Sequence, residues 1–246
     1  MPFKEFFKIH LKMIYRNRAG IFWTVIIPVA IYVAVSSLPL GQVINADIDY
    51  PKYLLPGIIA MVVMQGGIYT LAYAIIELKS RGVLKRLAVT PLTKTQFILS
   101  LMAARLTVVL IQVFVLTVIG VLIFNTQFTW RGITIATFVL LGGAIFLLMG
   151  LVISTFANTY ESAAPITAGI GLPLAFLGNI FYPAEQLPPA LHSIANFLPI
   201  TYLADGLRQS YIYGAGISDL TWQLFVLSIW FIAFFILATW RFKLED

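Results

Sequence analysis

The 246-residue chain is 60% hydrophobic and only 11% charged, with a net charge of +6 and no cysteine. Soluble domains carry about a quarter charged residues, so a single water-soluble core is excluded and a bilayer is the solvent this composition needs. Without cysteine there is no disulfide, no thiolate metal site and no thiol nucleophile.

Residues 1–20 read as an amphipathic elbow helix. Lys4, Lys8, Lys12 and Arg16 recur every four residues as one basic row, and Phe3, Phe6, Phe7, Leu11, Ile14 and Tyr15 form the opposite face. Such a helix lies in the inner membrane interface, as a lipid anchor, as a lead-in to the first span, or as both. Six uncharged apolar runs follow: Ile21–Leu38, Leu54–Ile76, Leu106–Phe124, Ile133–Phe156, Ala163–Tyr182 and Trp222–Trp240. Ala34-Val35-Ser36 offers a cleavage motif, but the stretch ahead of Ile21 is long for a signal peptide, so the first span is expected to be retained.

Orientation follows from the basic residues. The N-terminal segment, the connection between spans two and three and the C-terminal tail hold thirteen of the sixteen, and the opposite loops hold only Lys52, Arg131 and Arg208. This split places both termini in the cytoplasm. It also explains the net positive charge without a nucleic-acid partner. The fifth run contains Pro165, Gly169, Gly171, Pro173 and Gly178, and a kink or break is expected at Pro173. The segment 183–221 is too apolar for a free linker and reads as short helices re-entering the outer leaflet, buried in protein or lining a wet cavity.

The fold class is therefore an all-α integral membrane protein. It has six transmembrane helices, an interfacial N-terminal helix, a cytoplasmic helical segment at 77–96 and re-entrant helices before the last span. Residues 1–246 form a single transmembrane domain. Catalytic chemistry is missing from it. His10 and His192 fall on opposite sides, no span carries a carboxylate pair, and neither H-E-x-x-H nor the phosphate-binding G-x-x-x-x-G-K-[ST] occurs. No catalytic, metal or cofactor residue is assigned.

The segment from Glu77 to Thr93 is a long polar excursion between two spans, with a Gly break and a Thr-Pro stop. It reads either as a basic loop that sets topology or as a short helix that docks on a cytosolic partner through Val83, Leu84 and Leu87. Glu77, Gly82, Arg86-Leu87 and Thr90-Pro91 occur in the order seen in type-2 ATP-binding-cassette exporter permeases, which the segment resembles. Phe156-Ala157-Asn158, Phe181-Tyr182-Pro183, Leu187-Pro188 and Leu198-Pro199-Ile200-Thr201-Tyr202 are similar to that family's C-terminal signature. Lys79 and Arg81 depart from it, since acidic residues often precede the Gly. The resemblance implies an exporter permease without its motor, moving amphiphilic, lipid-linked or drug-like cargo across the cytoplasmic membrane. It implies a separate ATPase subunit, which holds ATP and Mg, and a second permease copy. The implied ATPase contacts are Glu77, Lys79, Arg81, Gly82, Val83, Leu84, Lys85, Arg86, Leu87, Thr90 and Pro91, with Asn158, Tyr160 and Glu161 in the turn after the fourth span.

Polar and aromatic residues inside spans give a candidate cargo path of Gln65, Tyr69, Phe176, Asn179 and Phe181. Gly66-Gly67 touches cargo or lets helices pack closely. Asn179 either gates the exit or makes a structural hydrogen bond. Arg105 snorkels to the inner headgroups or pairs with Glu77, and Asp205 and Arg208 have the spacing of a helical ion pair. The competing readings are an ATP-independent transporter or channel, which the irregular fifth run favours, and a membrane-embedded lipid-modifying enzyme, for which no converging catalytic set is found.

Overall fold

The computed structural model describes residues 2–38, 49–88, 93–126 and 131–242. Every regular element among these is helical. Five of the helical stretches are long and apolar enough to cross a membrane: Arg18–Ser36, Tyr50–Ser80, Thr95–Phe124, Gly132–Ile153 and Ile217–Arg241. The expected fifth run is not among them.

The elbow helix α1 (Pro2–Arg16) carries Glu5 in its first turn and Arg16 in its last, the order that suits the helix dipole. Its basic row is exposed as expected. The buried side is centred differently, however. Tyr15 is 79% exposed, whereas His10 is buried with its ring edge-on to Phe97, 5.8 Å between centroids. The helix rests on α6 (Lys94–Phe124), and that neighbour decides which residues are covered. Asn17 then caps α2 (Arg18–Ile21) by accepting from the Gly20 amide at 2.9 Å.

A π-helical turn, Phe22–Ile26, joins α2 to α3 (Ile27–Ser36). Pro28 has no amide hydrogen, so it cannot donate to the carbonyl of Thr24 four residues back. Gln112 Nε2 of α6 donates to that carbonyl instead. A backbone irregularity within a span is tolerated when a neighbouring helix satisfies the freed group.

The centre of the bundle is α4 (Tyr50–Ser80) against α7 (Gly132–Ile153). Their approach is set by two glycines. A Cβ on Gly67 would meet the Phe146 backbone at 2.3 Å, and one on Gly150 would meet the Gly67 carbonyl oxygen at 2.4 Å. Gly67 thus serves close helix packing, while Gly66 faces Val109 of α6. The outer surface of α6 and of α11 (Thr221–Arg241) is apolar and exposed, including Phe114, Leu122, Phe235 and Ile236, as a lipid-facing surface should be.

The expected fifth run is α8 (Tyr160–Leu177), capped by Thr159 through a capping box with Ser162. It continues through both Pro165 and Pro173, and the break comes at Gly178. There a Cβ would meet the Leu174 carbonyl oxygen at 2.3 Å and the Ile200 side chain at 2.4 Å. Only glycine fits at this end of the helix, and neither proline ends it. Beyond it lie a 3₁₀ turn (Ala184–Gln186), α9 (Pro189–Ala195) and α10 (Pro199–Tyr213). The last is packed on α4, α7 and α11, so its backbone is buried in protein.

Candidate functional site: an inner cavity beside the cytoplasmic helix

The α4 helix closes on a left-handed residue. Gly82 has φ +65°, its amide donates to the Lys79 carbonyl at 2.9 Å, and the Arg81 amide donates to the Glu77 carbonyl at 3.1 Å. A Cβ at Gly82 would meet nothing within 4 Å, so the backbone conformation alone calls for glycine here. The chain then turns into the six-residue helix α5 (Val83–Ala88).

The residues of this segment divide by what they touch. Glu77 and the exposed Arg81 form an ion pair of 2.6 Å one helical turn apart. Such a pair adds only about 0.3–0.5 kcal/mol, so its presence is not explained by stability. Lys79 donates to the Ser154 carbonyl at 3.2 Å, tying the end of α4 to the end of α7. Arg86 is exposed. Leu84 is the departure from expectation. It is 2% exposed and packs among Ile75, Phe97, Leu101 and Leu151 of its own chain. The side that was expected to face a partner is here turned inward at Leu84, because α5 folds back over the inner ends of α4 and α6. Thr90 and Pro91 lie outside the described residues, as do the side chains of Lys85 and Leu87.

The turn after α7 comes to the same end of the bundle. Asn158, Tyr160 and Glu161 are exposed, and the Tyr160 ring lies 5.7 Å from that of Tyr73 on α4. Tyr73 also shares a hydrogen bond of 3.0 Å with Thr167 of α8. The two stretches that are far apart in sequence are thus joined by Lys79–Ser154 and by Tyr73–Tyr160.

Above this surface lies a cavity of about 800 Å³ between the elbow, α3, α4 and α6. Gln65 and Tyr69 of the candidate path line it, and so do Glu77, Arg81, Val83 and Tyr160 of the candidate contact surface. Sequence reasoning missed further polar residues on its wall, among them His10, Gln112 and, as a cavity residue, Arg105. Burial, and secondarily Arg105, lowers the His10 pKa to about 4, so the imidazole is neutral at pH 7. Arg105 is half-buried and forms no ion pair with Glu77, which pairs with Arg81. Its Nε is buried without a hydrogen-bond partner.

Phe176, in the last turn of α8, and Asn179 and Phe181, in the bend after it, are elsewhere, so the candidate path falls into two separate groups. Asn179 has φ +57° and is held from both sides. Its Oδ1 accepts from the Tyr53 hydroxyl at 3.1 Å and its carbonyl accepts from Arg208 Nη2 at 2.8 Å. The carbonyl of Phe181 accepts from the Tyr50 hydroxyl at 3.1 Å. Arg208 does not pair with Asp205. Sixty degrees apart on α10, the two diverge: Asp205 accepts from Gln223 of α11 at 2.8 Å, and Arg208 turns to α4, its guanidinium 3.9 Å from the Tyr53 ring centre. Charge-assisted hydrogen bonds contribute about 1.5–3 kcal/mol, and a desolvated cation–π contact about 2 kcal/mol. Arg208→Ala is therefore expected to lower the melting temperature of the detergent-solubilised protein clearly, with Arg208→Lys only partly restoring it. A melting temperature equal to the parent's in Arg208→Ala would refute the clamp.

Comparison with known proteins agrees with this architecture. A family model described as "ABC-2 type transporter" matches residues 2–212. The chain is 24% identical over 222 residues to the inner membrane transport permease YadH of Escherichia coli (strain K12), covering 87% of this chain and 85% of that one. It is also 24% identical over 242 residues to the putative transport permease YvfS of Bacillus subtilis (strain 168), covering 93% and 91%. A similar likeness, 24% over 194 residues, covering 78% and 74%, links it to nodulation protein J of Rhizobium leguminosarum bv. viciae. With the family model spanning most of its length, the chain belongs to the ABC-2 type transporter family and is a membrane permease.

Proposed function

We propose that this permease exports an amphiphilic, lipid-linked or drug-like molecule when a separate ATPase subunit, carrying ATP and Mg, engages its inner face. The observation that carries the reading is the joining of the inner end of α4, Tyr73–Ser80, to the α7–α8 turn through Lys79–Ser154 and Tyr73–Tyr160, next to a cavity. Arg81, Arg86, Asn158, Tyr160 and Glu161 are exposed side chains of that patch and contacts for the ATPase. Gly82 sets the turn, and Leu84 anchors α5 from beneath. A push on the patch reaches α4 and α8 together, which suits rigid-body gating. Two permease copies form the working unit, and α8 serves as the sixth span, with both termini cytoplasmic.

Two measurements test this. The purified permease is expected to hydrolyse no ATP, and turnover is expected only when its ATPase partner is added. Hydrolysis by the permease alone sinks the proposal, and transport without any ATPase favours the ATP-independent reading. For topology, single cysteines are introduced into a chain that has none. Ser193→Cys is expected to label from outside and Ser80→Cys only from inside, and the opposite pattern reverses the orientation.

A further inference from the structure

The cavity holds more positive charge than its walls neutralise. Four residues that can carry charge line it: Glu77, Arg81, Arg105 and His10. Glu77 and Arg81 are paired with each other at 2.6 Å, and His10 is held neutral by its burial. That leaves Arg105, whose buried Nε has no partner, and it shares the wall with His10, whose buried Nε2 has none either. A buried donor left unsatisfied is costly, more so on a charged group. Native proteins keep such a group where something else supplies the acceptor.

The rest of the cavity says what shape that something has. Arg105 and Gln112 are seven residues apart on α6, so the wall rises about 10 Å from the charge toward the midplane. At this deeper end the lining is mostly apolar, with Pro28, Val62, Val108 and Val109 beside Thr24, Gln65 and Gln112. The mouth lies at the elbow, where Met13 is 54% and Trp23 is 65% exposed. A polar, positive floor at headgroup level and an apolar roof, reached sideways past the interfacial helix, describe a slot for a molecule with an acidic head and a hydrocarbon tail.

We infer that this cavity binds the acidic group of an amphiphile drawn from the inner leaflet, with the Arg105 guanidinium as the cation that meets its oxygen atoms. The ligand chemistry is a phosphate or carboxylate on an acyl or alkyl chain. That its bearer is cargo, and not a resident lipid, rests on the permease reading above; the binding itself does not.

The test uses the full chain in phosphatidylcholine vesicles supplemented with brominated phosphatidylglycerol or, for comparison, brominated phosphatidylcholine. Trp23 emission is taken as the difference between the parent and Trp23→Phe. Brominated phosphatidylglycerol is expected to quench Trp23 the more strongly, and dodecyl phosphate to relieve that quenching while inorganic phosphate does not. Arg105→Gln is expected to weaken the apparent affinity for phosphatidylglycerol about ten-fold or more, and Arg105→Lys to retain part of the preference. Equal quenching by the two lipids in the parent overturns the inference, as does an unchanged preference in Arg105→Gln. Displacement by inorganic phosphate overturns it too, by making the site one for a free anion. Should Arg105→Gln fail to insert, the dodecyl phosphate competition on the parent decides alone. Adding the ATPase partner with ATP separates the two sources: cargo leaves and the quenching decays, whereas a resident lipid stays. No readout of binding requires ATP, so the slot and the permease reading stand or fall separately.

Discussion

Gly67→Val is expected to abolish recovery of folded permease from the membrane, while Gly169→Ala leaves recovery intact and raises thermal stability slightly. Both glycines sit inside helices that are apolar by sequence, and the difference lies in what a Cβ would meet. At Gly67 it is the backbone of Phe146, 2.3 Å away, and at Gly169 it is nothing within 4 Å. Overpacking costs about 1–3 kcal/mol when the neighbours are side chains that can move. Backbone cannot move without separating α4 from α7, the pair on which the bundle is built, so the cost at Gly67 exceeds that range. At Gly169 alanine removes the unfolded chain's extra freedom and gains about 0.5–1 kcal/mol. Size-exclusion chromatography of fluorescently tagged variants reads the yield, and a thermal melt reads the stability. Equal behaviour of the two variants would mean that the α4–α7 contact does not hold the fold.

The second large effect separates folding from docking within the six residues of α5. Leu84→Asp puts a charge into the cluster of Ile75, Phe97, Leu101 and Leu151. An unpaired buried charge is among the few single changes costly enough to unfold a protein, so Leu84→Asp should lower yield and melting temperature even without an ATPase present. Arg86→Glu reverses an exposed charge and leaves the excess of inner basic residues intact. It should insert and melt as the parent does, yet fail to co-purify with the ATPase or to export. Normal assembly and export in Arg86→Glu would reduce α5 to a topology determinant. A stable Leu84→Asp would mean that α5 does not rest where it is drawn.

Five of the six expected spans were legible in the sequence because length and the absence of charge suffice to find them. Which of their faces meet protein was not. The windows of α7 and α11 have nearly the same hydropathy, yet 72% of one is buried inside the protein against 11% of the other. Lipid is as apolar as a protein core, so composition carries no signal about which helix is central. Glycine carried that signal better: Gly67 and Gly150 mark the α4–α7 contact. The turn at Gly82 was readable from its place between a span and a short helix. The burial of Leu84 was not, because a six-residue helix has too few turns for its pattern to say whether its apolar side faces its own chain or another. Arg208 has a different partner from the one its helical spacing suggested. Spacing along one helix proposes Asp205, and only the bend at Asn179, remote in sequence, offers the carbonyl that Arg208 binds.

The bond from Gln112 to the Thr24 carbonyl also has a consequence in time. The two residues are 88 positions apart, and a ribosome adds about 5–20 residues per second. The first span is therefore made roughly five to twenty seconds before the Gln112 amide that donates to its Thr24 carbonyl. Until α6 is made, the first span is a provisional passenger. Translation that stalls between these two points leaves it as the segment most readily slipped back toward the aqueous side, so biogenesis of this permease is committed only when its third long helix arrives.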